Sequence, residues 1–399
     1  MAIPHVTIAM DVLILNTAVL DLRSSDFDFV PDLVGPGGLA KCSVSDMPDY
    51  TPEQYERWIR NRCATAGGPG NTAPLLARAG LSAAVGANLG KGDNDGLDVQ
   101  GHAFRDILAS NGVDVSQIRI HPSLPTGTTF IYDPGTDERG GIAYFPNAND
   151  DFDFEHFKTS VERLLPTVVY YMYSGLSARG DANGGRDLAD FVRWCRQQGS
   201  ITIVDSHTLT SNPQELIEQG SAVEAYYLLE PLLGEVDIFF SSLDEAEMIM
   251  NTLDRPRRWS ECSQEDICRD YLGYVVSRFA GGSGRSRLFG LTVADGAFGK
   301  YCKGDGSASE IIEARSRFMG GQVIDLVGAG DSFRAGLLSY LVRNVDAFRD
   351  GNLNVADCLQ MGNLFASLYI KAPLGHRYAN IKQYDELARL VSADGGGRH

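Results

Sequence analysis

The chain has 399 residues, 43% of them hydrophobic, with 44 glycines and a formal net charge of −17. That length supports a large core, and glycine well above its usual ~7%, aperiodic and mixed with apolar runs, points to many tight turns rather than collagen or disorder. The acidic balance argues against nucleic acid as a main partner, and the basic stretches Arg255–Arg258 and Arg285–Arg287 read as solvated surface. No window approaches the roughly 18 apolar residues of a membrane span. The N-terminus MAIPHVTIAMDVLIL lacks a basic leader, and the seven cysteines are scattered without a C-x-x-C pair. The expectation is a cytoplasmic protein with neither a disulfide framework nor a zinc cage.

In chain order, Val6–Leu15 reads as a strand, Thr72–Ala79 as a short helix after a glycine-rich turn, and Ala83–Val85 as the start of another strand. Helical spacing over Gly101–Asn111 and Arg186–Gln198 alternates with strand-like Val168–Met172, Ser200–Val204, Val236–Phe240 and Leu288–Val293. Further helices are expected at Glu265–Phe279, Ser332–Val342 and Val355–Ile370. Such alternation predicts an α/β fold, a mainly parallel sheet with helices on both faces.

Two stretches break the rhythm. Residues 22–66 are rich in Asp, Pro and Gly, with a helix expected only at Pro52–Asn61. Residues 121–147 alternate Thr and aromatic residues around a glycine-rich turn and read as a β-hairpin. The expected organisation is one domain over 1–392 with lid elements at about 17–66 and 121–147, and a disordered tail at 393–399. The hairpin's edges need covering. Pairing with the lid of a second copy would do so, making a homodimer one option and the long 22–66 segment either an enlarged lid or an oligomer contact.

The sharpest motif is Val323-Ile-Asp-Leu-Val-Gly-Ala-Gly-Asp331, followed by an amphipathic run. It reads as a strand ending at Asp325 and a helix beginning near Asp331. Gly328 and Gly330 would let backbone amides face an anion at the helix N-terminus, and Asp331 would place a carboxylate beside it. A plain glycine turn with an Asp cap would look the same. The second motif, Gly67-Gly-Pro-Gly-Asn71, permits close backbone approach and offers an amide that donates and accepts at once. Gly86–Gly92 is no P-loop: three residues separate Gly86 from Gly90, and Gly follows Lys91. No dinucleotide turn is present either, which counts against a dehydrogenase.

Together the two motifs resemble the signatures of the ribokinase-like (PfkB) carbohydrate kinase family. GGPGN with Leu89–Gly96 is similar to the first signature, and Asp325–Asp331 to the second. Pro125–Thr128 resembles the family's lid strand, Val236–Ala246 its N-x-x-E segment, Thr292–Gly296 a nucleotide-side loop, and Gly362-Asn363 its late helix. The resemblance runs from Val6 to about Ile381.

It implies an ATP- and Mg²⁺-dependent kinase acting on a sugar or nucleoside hydroxyl. Asp331 would be the general base, with amides of Gly328, Ala329 and Gly330 holding developing charge. Gly67, Gly68 and Asn71 would hold the acceptor, together with Asp11 or Asn16 where the family has one sugar-binding Asp. Thr292, Gly296 and Asn363 would line the adenine side. Glu245 would act on Mg²⁺ through water, and Asp325 would lie near a monovalent-cation (K⁺) site that some members use. The sequence departs from the family in carrying Ser242 for the usual Asn, His207 after Asp205, and an altered loop at 292–296. Arg139 and Asn147 could reach substrate or serve the surface. Phe130, Tyr132, Tyr144 and Phe145 leave sugar and nucleoside acceptors both open, and a non-catalytic sensor on the same fold is the rival of another class.

Overall fold

The structure, a computed structural model, describes residues 9–93, 96–133, 141–254, 257–281 and 284–393. Val6–Ile8, Arg139 and the tail from 394 onward therefore lie outside the described residues. The chain enters a large sheet as β1 (Val12–Leu15). It leaves for a smaller one through β2 (Val19–Ser24), β3 (Leu39–Lys41) and β4 (Ala64–Gly67), then returns as β5 (Ala83–Gly86). A short parallel pair, β6 (Asn88–Gly90) and β7 (Arg119–His121), precedes β8 (Gly127–Tyr132) and β9 (Ile142–Phe145) of the small sheet. The large sheet is completed by β10 (Val168–Tyr171), β11 (Ile201–Asp205), β12 (Ile238–Ser242), β13 (Arg287–Val293), β14 (Gly296–Cys302) and β15 (Ile312–Arg315).

Its order is β15-β14-β13-β12-β11-β10-β1-β5, parallel from β5 to β13 and antiparallel at the β14 and β15 edge. Alternate residues of β1 enter opposite cores: Val12 and Ile14 pack on one face, Leu13 and Leu15 on the other. A strand buried on both faces belongs to a helix-covered parallel sheet, and each such side chain contributes about 1.5–3 kcal/mol of burial. Helices Ala329–Arg343 and Val355–Ile370 cover one face together. They approach closely because a Cβ on Gly336 would lie 2.3 Å from the Met361 carbonyl oxygen.

One expectation is corrected. Residues 322–326 form no strand: the side chains of Val323, Ile324 and Leu326 are 44–49% exposed, so this apolar run lies across the sheet's mouth instead of inside it. Thr292–Gly296 is the tip of an antiparallel hairpin, Val293 pairing with Gly296, which ends the parallel pattern at this edge.

The small sheet has the order β3-β9-β8-β2-β4. The expected hairpin is present as antiparallel β8 and β9, Thr128 opposite Phe145, its turn lying outside the described residues. Asp21, Thr129 and Tyr144 are successive cross-strand partners and share the face turned to the large sheet. On the other face Leu20, Leu22, Phe130 and Phe145 pack beneath Phe27, Val30 and the helix Pro52–Arg60, which brings Tyr55 and Trp58. Ring centroids of Phe27 lie 5.0 Å from both Trp58 and Phe130, each edge-on. The 22–66 segment thus covers the outward face of its own sheet, where a partner's lid was one option. Among the described residues, all seven cysteines are free and no helix is long and apolar enough to cross a membrane.

Candidate active site

A cleft of about 280 Å³ opens between the small sheet and the carboxyl ends of the large sheet's parallel strands. Parallel sheets gather loops and helix N-termini at that edge, which makes it the usual place for a ligand. The segment before the last long helix pair supplies one wall. Asp325 Oδ1 accepts the Val327 amide at 3.0 Å, and Gly328, at φ +84°, turns the chain into the helix Ala329–Arg343. The αL conformation suits glycine. A Cβ at Gly328 would also lie 2.9 Å from the Tyr369 ring.

Asp331 sits in the first turn of that helix, where the dipole favours its carboxylate. It is 8% exposed; Oδ2 accepts from Asn71 Nδ2 at 2.9 Å, and Oδ1 from the Tyr173 hydroxyl at 2.7 Å. Asn71 in turn accepts from the Tyr369 hydroxyl at 2.6 Å. The two sequence motifs therefore meet side chain to side chain, although 260 residues separate Asn71 from Asp331. Gly68 needs its φ of +53°, and a Cβ there would lie 2.1 Å from the Thr17 carbonyl oxygen. Gly68, Asn71, Gly328, Ala329 and Gly330 all line the cleft. The Ala329 amide, however, donates to Leu326 O at 3.1 Å and is already spent within the turn.

Behind Asp331 lies a buried charge network. Arg334, one turn along the helix, donates to Asp205 Oδ1 and to Phe240 O, both at 2.7 Å. Burial opposes charge on Arg334, but Asp205, Tyr170, Glu245 and Asp331 outweigh it and hold the guanidinium protonated. The same burial pushes Asp205 up to about 6, with Arg334 pulling it back. Glu245 is pushed up to about 7 by burial and then by Asp205, while the Ser242 amide (2.8 Å) and Ser206 hydroxyl (3.0 Å) donate to it. Ser242 and Glu245 form a reciprocal capping box on the helix Leu243–Leu253, a task for which a hydroxyl suffices in place of an Asn. His207 also lines the cleft. Burial lowers it to about 3, and Nδ1 accepts the Leu209 amide at 2.7 Å, so the neutral ring carries its proton on Nε2.

The other wall carries a residue that sequence reading passed over, Asp21. It is 7% exposed on the cleft face of β2, and burial raises it to about 6 against the Thr129 hydroxyl and Arg23. A Cβ on Gly67 would lie 2.3 Å from Asp21 Oδ2, so this glycine admits the carboxylate rather than touching the cleft itself. The signal was legible as alternation, Val19 and Asp21 against Leu20 and Leu22.

The early candidates lie elsewhere. Asp11 is at the amino end of β1, its Oδ2 accepting the Ser82 amide at 2.8 Å, far from the edge where ligands bind. Asn16 is buried beneath the cleft and donates to the Tyr171 hydroxyl at 3.0 Å. Its neighbour Thr17 is the one that lines it. Thr292 reaches the cleft, whereas Gly296 is closed in by Ala314 O, and Asn363 donates to that same oxygen at 3.0 Å. Asp325 is not open to solution ions: the guanidiniums of Arg23 and Arg377 both grip its Oδ2. Asn147 bonds the Thr126 carbonyl at 3.0 Å and stays out of the cleft.

Solved structures share the fold. A probable sugar kinase from Rhizobium etli CFN 42 matches with a TM-score of 0.62 at 19% identity, covering 97% of this chain and 98% of its own. A fructokinase with bound ATP from Xylella fastidiosa matches at 0.63 and 17%, covering 96% and 99%. Adenosine kinase from Sinorhizobium meliloti matches at 0.61 and 18%, covering 92% and 95%. These likenesses establish the ribokinase-like fold. No curated protein matches the sequence. The model of the pfkB family carbohydrate kinases matches residues 50–267 and 296–376, a span that includes both glycine motifs, the Ser242–Glu245 box and the helix that presents Asp331, and the chain belongs to that family of kinases.

Proposed function

We propose that the protein transfers the terminal phosphoryl group of ATP to a hydroxyl of a sugar or of a nucleoside's ribose, with Asp331 as general base. The observation that carries this reading is the Asp331 carboxylate, held by Asn71 and Tyr173 beside the Gly328 and Gly330 amides at the mouth of a roofed cleft. An acceptor hydroxyl taking the place of the Tyr173 donor would have a base at hydrogen-bond distance. The helix N-terminus would stabilise charge spreading onto the transferred group. Asp21 and His207 Nε2–H, facing the same space, would orient the acceptor's other hydroxyls.

Mg²⁺ fits this reading as an ion held mainly by phosphate and water oxygens. Among the described residues no three His, Cys, Asp or Glu side chains converge into a cage, and Asp244 and the buried Glu245 line the cleft with oxygen donors. Bound there, it would neutralise phosphate charge. K⁺ is left out of the proposal because two guanidiniums already balance Asp325. The small sheet would act as a lid whose closure excludes water and so suppresses ATP hydrolysis.

A nucleoside acceptor is the second reading. The cleft face of the small sheet presents Val19, Leu39, Ile131, Ile142 and Tyr144, an apolar surface with room for a planar base, while Phe130 and Phe145 point away. The test is ADP release with ATP and Mg²⁺ over ketoses, aldoses, sugar acids, sugar phosphates, inositols and nucleosides. Release above the blank for one class supports the proposal and names that class. A flat panel from protein that binds ATP overturns it.

A further inference from the structure

A second cavity, of about 430 Å³, lies apart from the cleft and shares no lining residue with it. It is bounded by the end of the helix Pro52–Arg60, by β4, by Arg78 at the end of the helix Ala73–Arg78, by the helix Val99–Ser110 and by the C-terminal segment 374–379. Arg62, Arg78, His376 and Arg377 line it; no Asp or Glu does. In a chain of net charge −17, three guanidiniums around one cavity without a carboxylate among them is an inverted local balance.

Arg377 is answered by Asp325 behind the wall, whereas the two outer charges are not. Among the described residues Arg62 and Arg78 form no ion pair, and Arg78 spends only Nε, on Asn111 Oδ1 at 2.9 Å. Arg377 is 3% exposed, and its Nε has no partner. Burial and then Arg23 lower its guanidinium to about 10. The stem of Arg62 lies over Gly375, where a Cβ would come within 3.0 Å of Arg62 Cδ, which arches this side chain across the cavity's C-terminal wall. Arg62 and Arg78 present exposed guanidiniums at the opening and Arg377 an unpartnered Nε at depth, and the planar guanidinium fork suits phosphate oxygens. The remaining walls are neutral, with Ala64, Ala103 and Ile107, and the volume is that of a small-molecule site.

We infer that this cavity is a binding site for a small phosphate-bearing metabolite, separate from the cleft. Its walls touch the catalytic parts directly. Arg377 grips Asp325, which begins the turn to Gly328, and the Tyr378 hydroxyl donates to Gly70 O at 2.8 Å inside the first glycine motif. A bound anion would therefore steady both glycine turns that border the cleft.

The test is calorimetric titration of inorganic phosphate and of a pentose phosphate into the full chain. A non-hydrolysable ATP analogue and Mg²⁺ are kept saturating so that the anion position at Gly328–Gly330 is filled. One site per chain is expected, weakened about tenfold or more in Arg62→Ala/Arg78→Ala and in Arg62→Glu. Both side chains are exposed, and unchanged affinity for the ATP analogue checks that the variants fold. Affinity that survives both variants, or no binding of either probe, overturns the site. Hydrogen exchange at residues 67–71 and 325–330 should slow when the probe binds; binding without slowing overturns the coupling. Because the readout is binding at Arg62 and Arg78, it stands or falls independently of whether phosphoryl transfer is found.

Discussion

The two sheets bring functional groups to the same cleft by opposite means. The large sheet delivers Asp205, Glu245, Arg334 and Asp331 at strand ends and a helix start, each tied into a buried network with tertiary partners from several elements. The small sheet delivers Asp21, Thr129 and Tyr144 by simple alternation, and the face behind them is held by one aromatic cluster around Phe27 and Trp58. On the proposed function, chemistry would sit where position is over-determined. Recognition would sit on a five-stranded sheet covered by a short helix, which would close as a unit.

The largest effect that would test this contrast is Asp331→Asn. We expect turnover to fall by about 10³-fold or more with the melting temperature nearly unchanged, since an amide still bonds Asn71 and Tyr173 but takes no proton. Wild-type turnover would show that the base is elsewhere. On the small-sheet side, Trp58→Ala should cost about 3 kcal/mol by emptying the aromatic cluster. Hydrogen exchange should rise in β2, β4 and β8 and stay low in β10 and β11; uniform loosening would mean that the two sheets are not separate units.

Glu245→Gln probes the large-sheet network through pH. A carboxyl raised from 4.5 to about 7 contributes stability that is present below 4.5 and lost as pH rises through 7. The variant should therefore gain on the wild type between pH 5 and 8, by about 2 kcal/mol at the upper end. A melting difference that does not change with pH would refute a buried, repelled Glu245. The smallest effect is expected for Asp21→Asn, a rise in acceptor KM of about tenfold with kcat nearly retained, since it orients substrate without transferring a proton. Equal loss in kcat would move Asp21 into the chemistry.

Local pattern alone determined most of the large sheet, both glycine turns, the helix at Pro52–Arg60 and the place of Asp331 at a helix start, because hydrophobic period, turn chemistry and a helix N-terminus are short-range properties. It misjudged Val323–Leu326, whose apolar run looks like a strand, since exposure depends on what packs above it. It placed the early acceptor carboxylate at Asp11 or Asn16, one at the wrong end of a strand and the other beneath the cleft, because only the path of the chain decides which edge a residue reaches. Tertiary structure alone put Asp21 across from Asp331, set Arg334 between Asp205 and Phe240, turned Asp325 into an arginine anchor, and collected Arg62, Arg78 and Arg377 around a second cavity. Each of these joins residues distant in sequence, and charge is assigned its role by the partner it meets, which no local window contains.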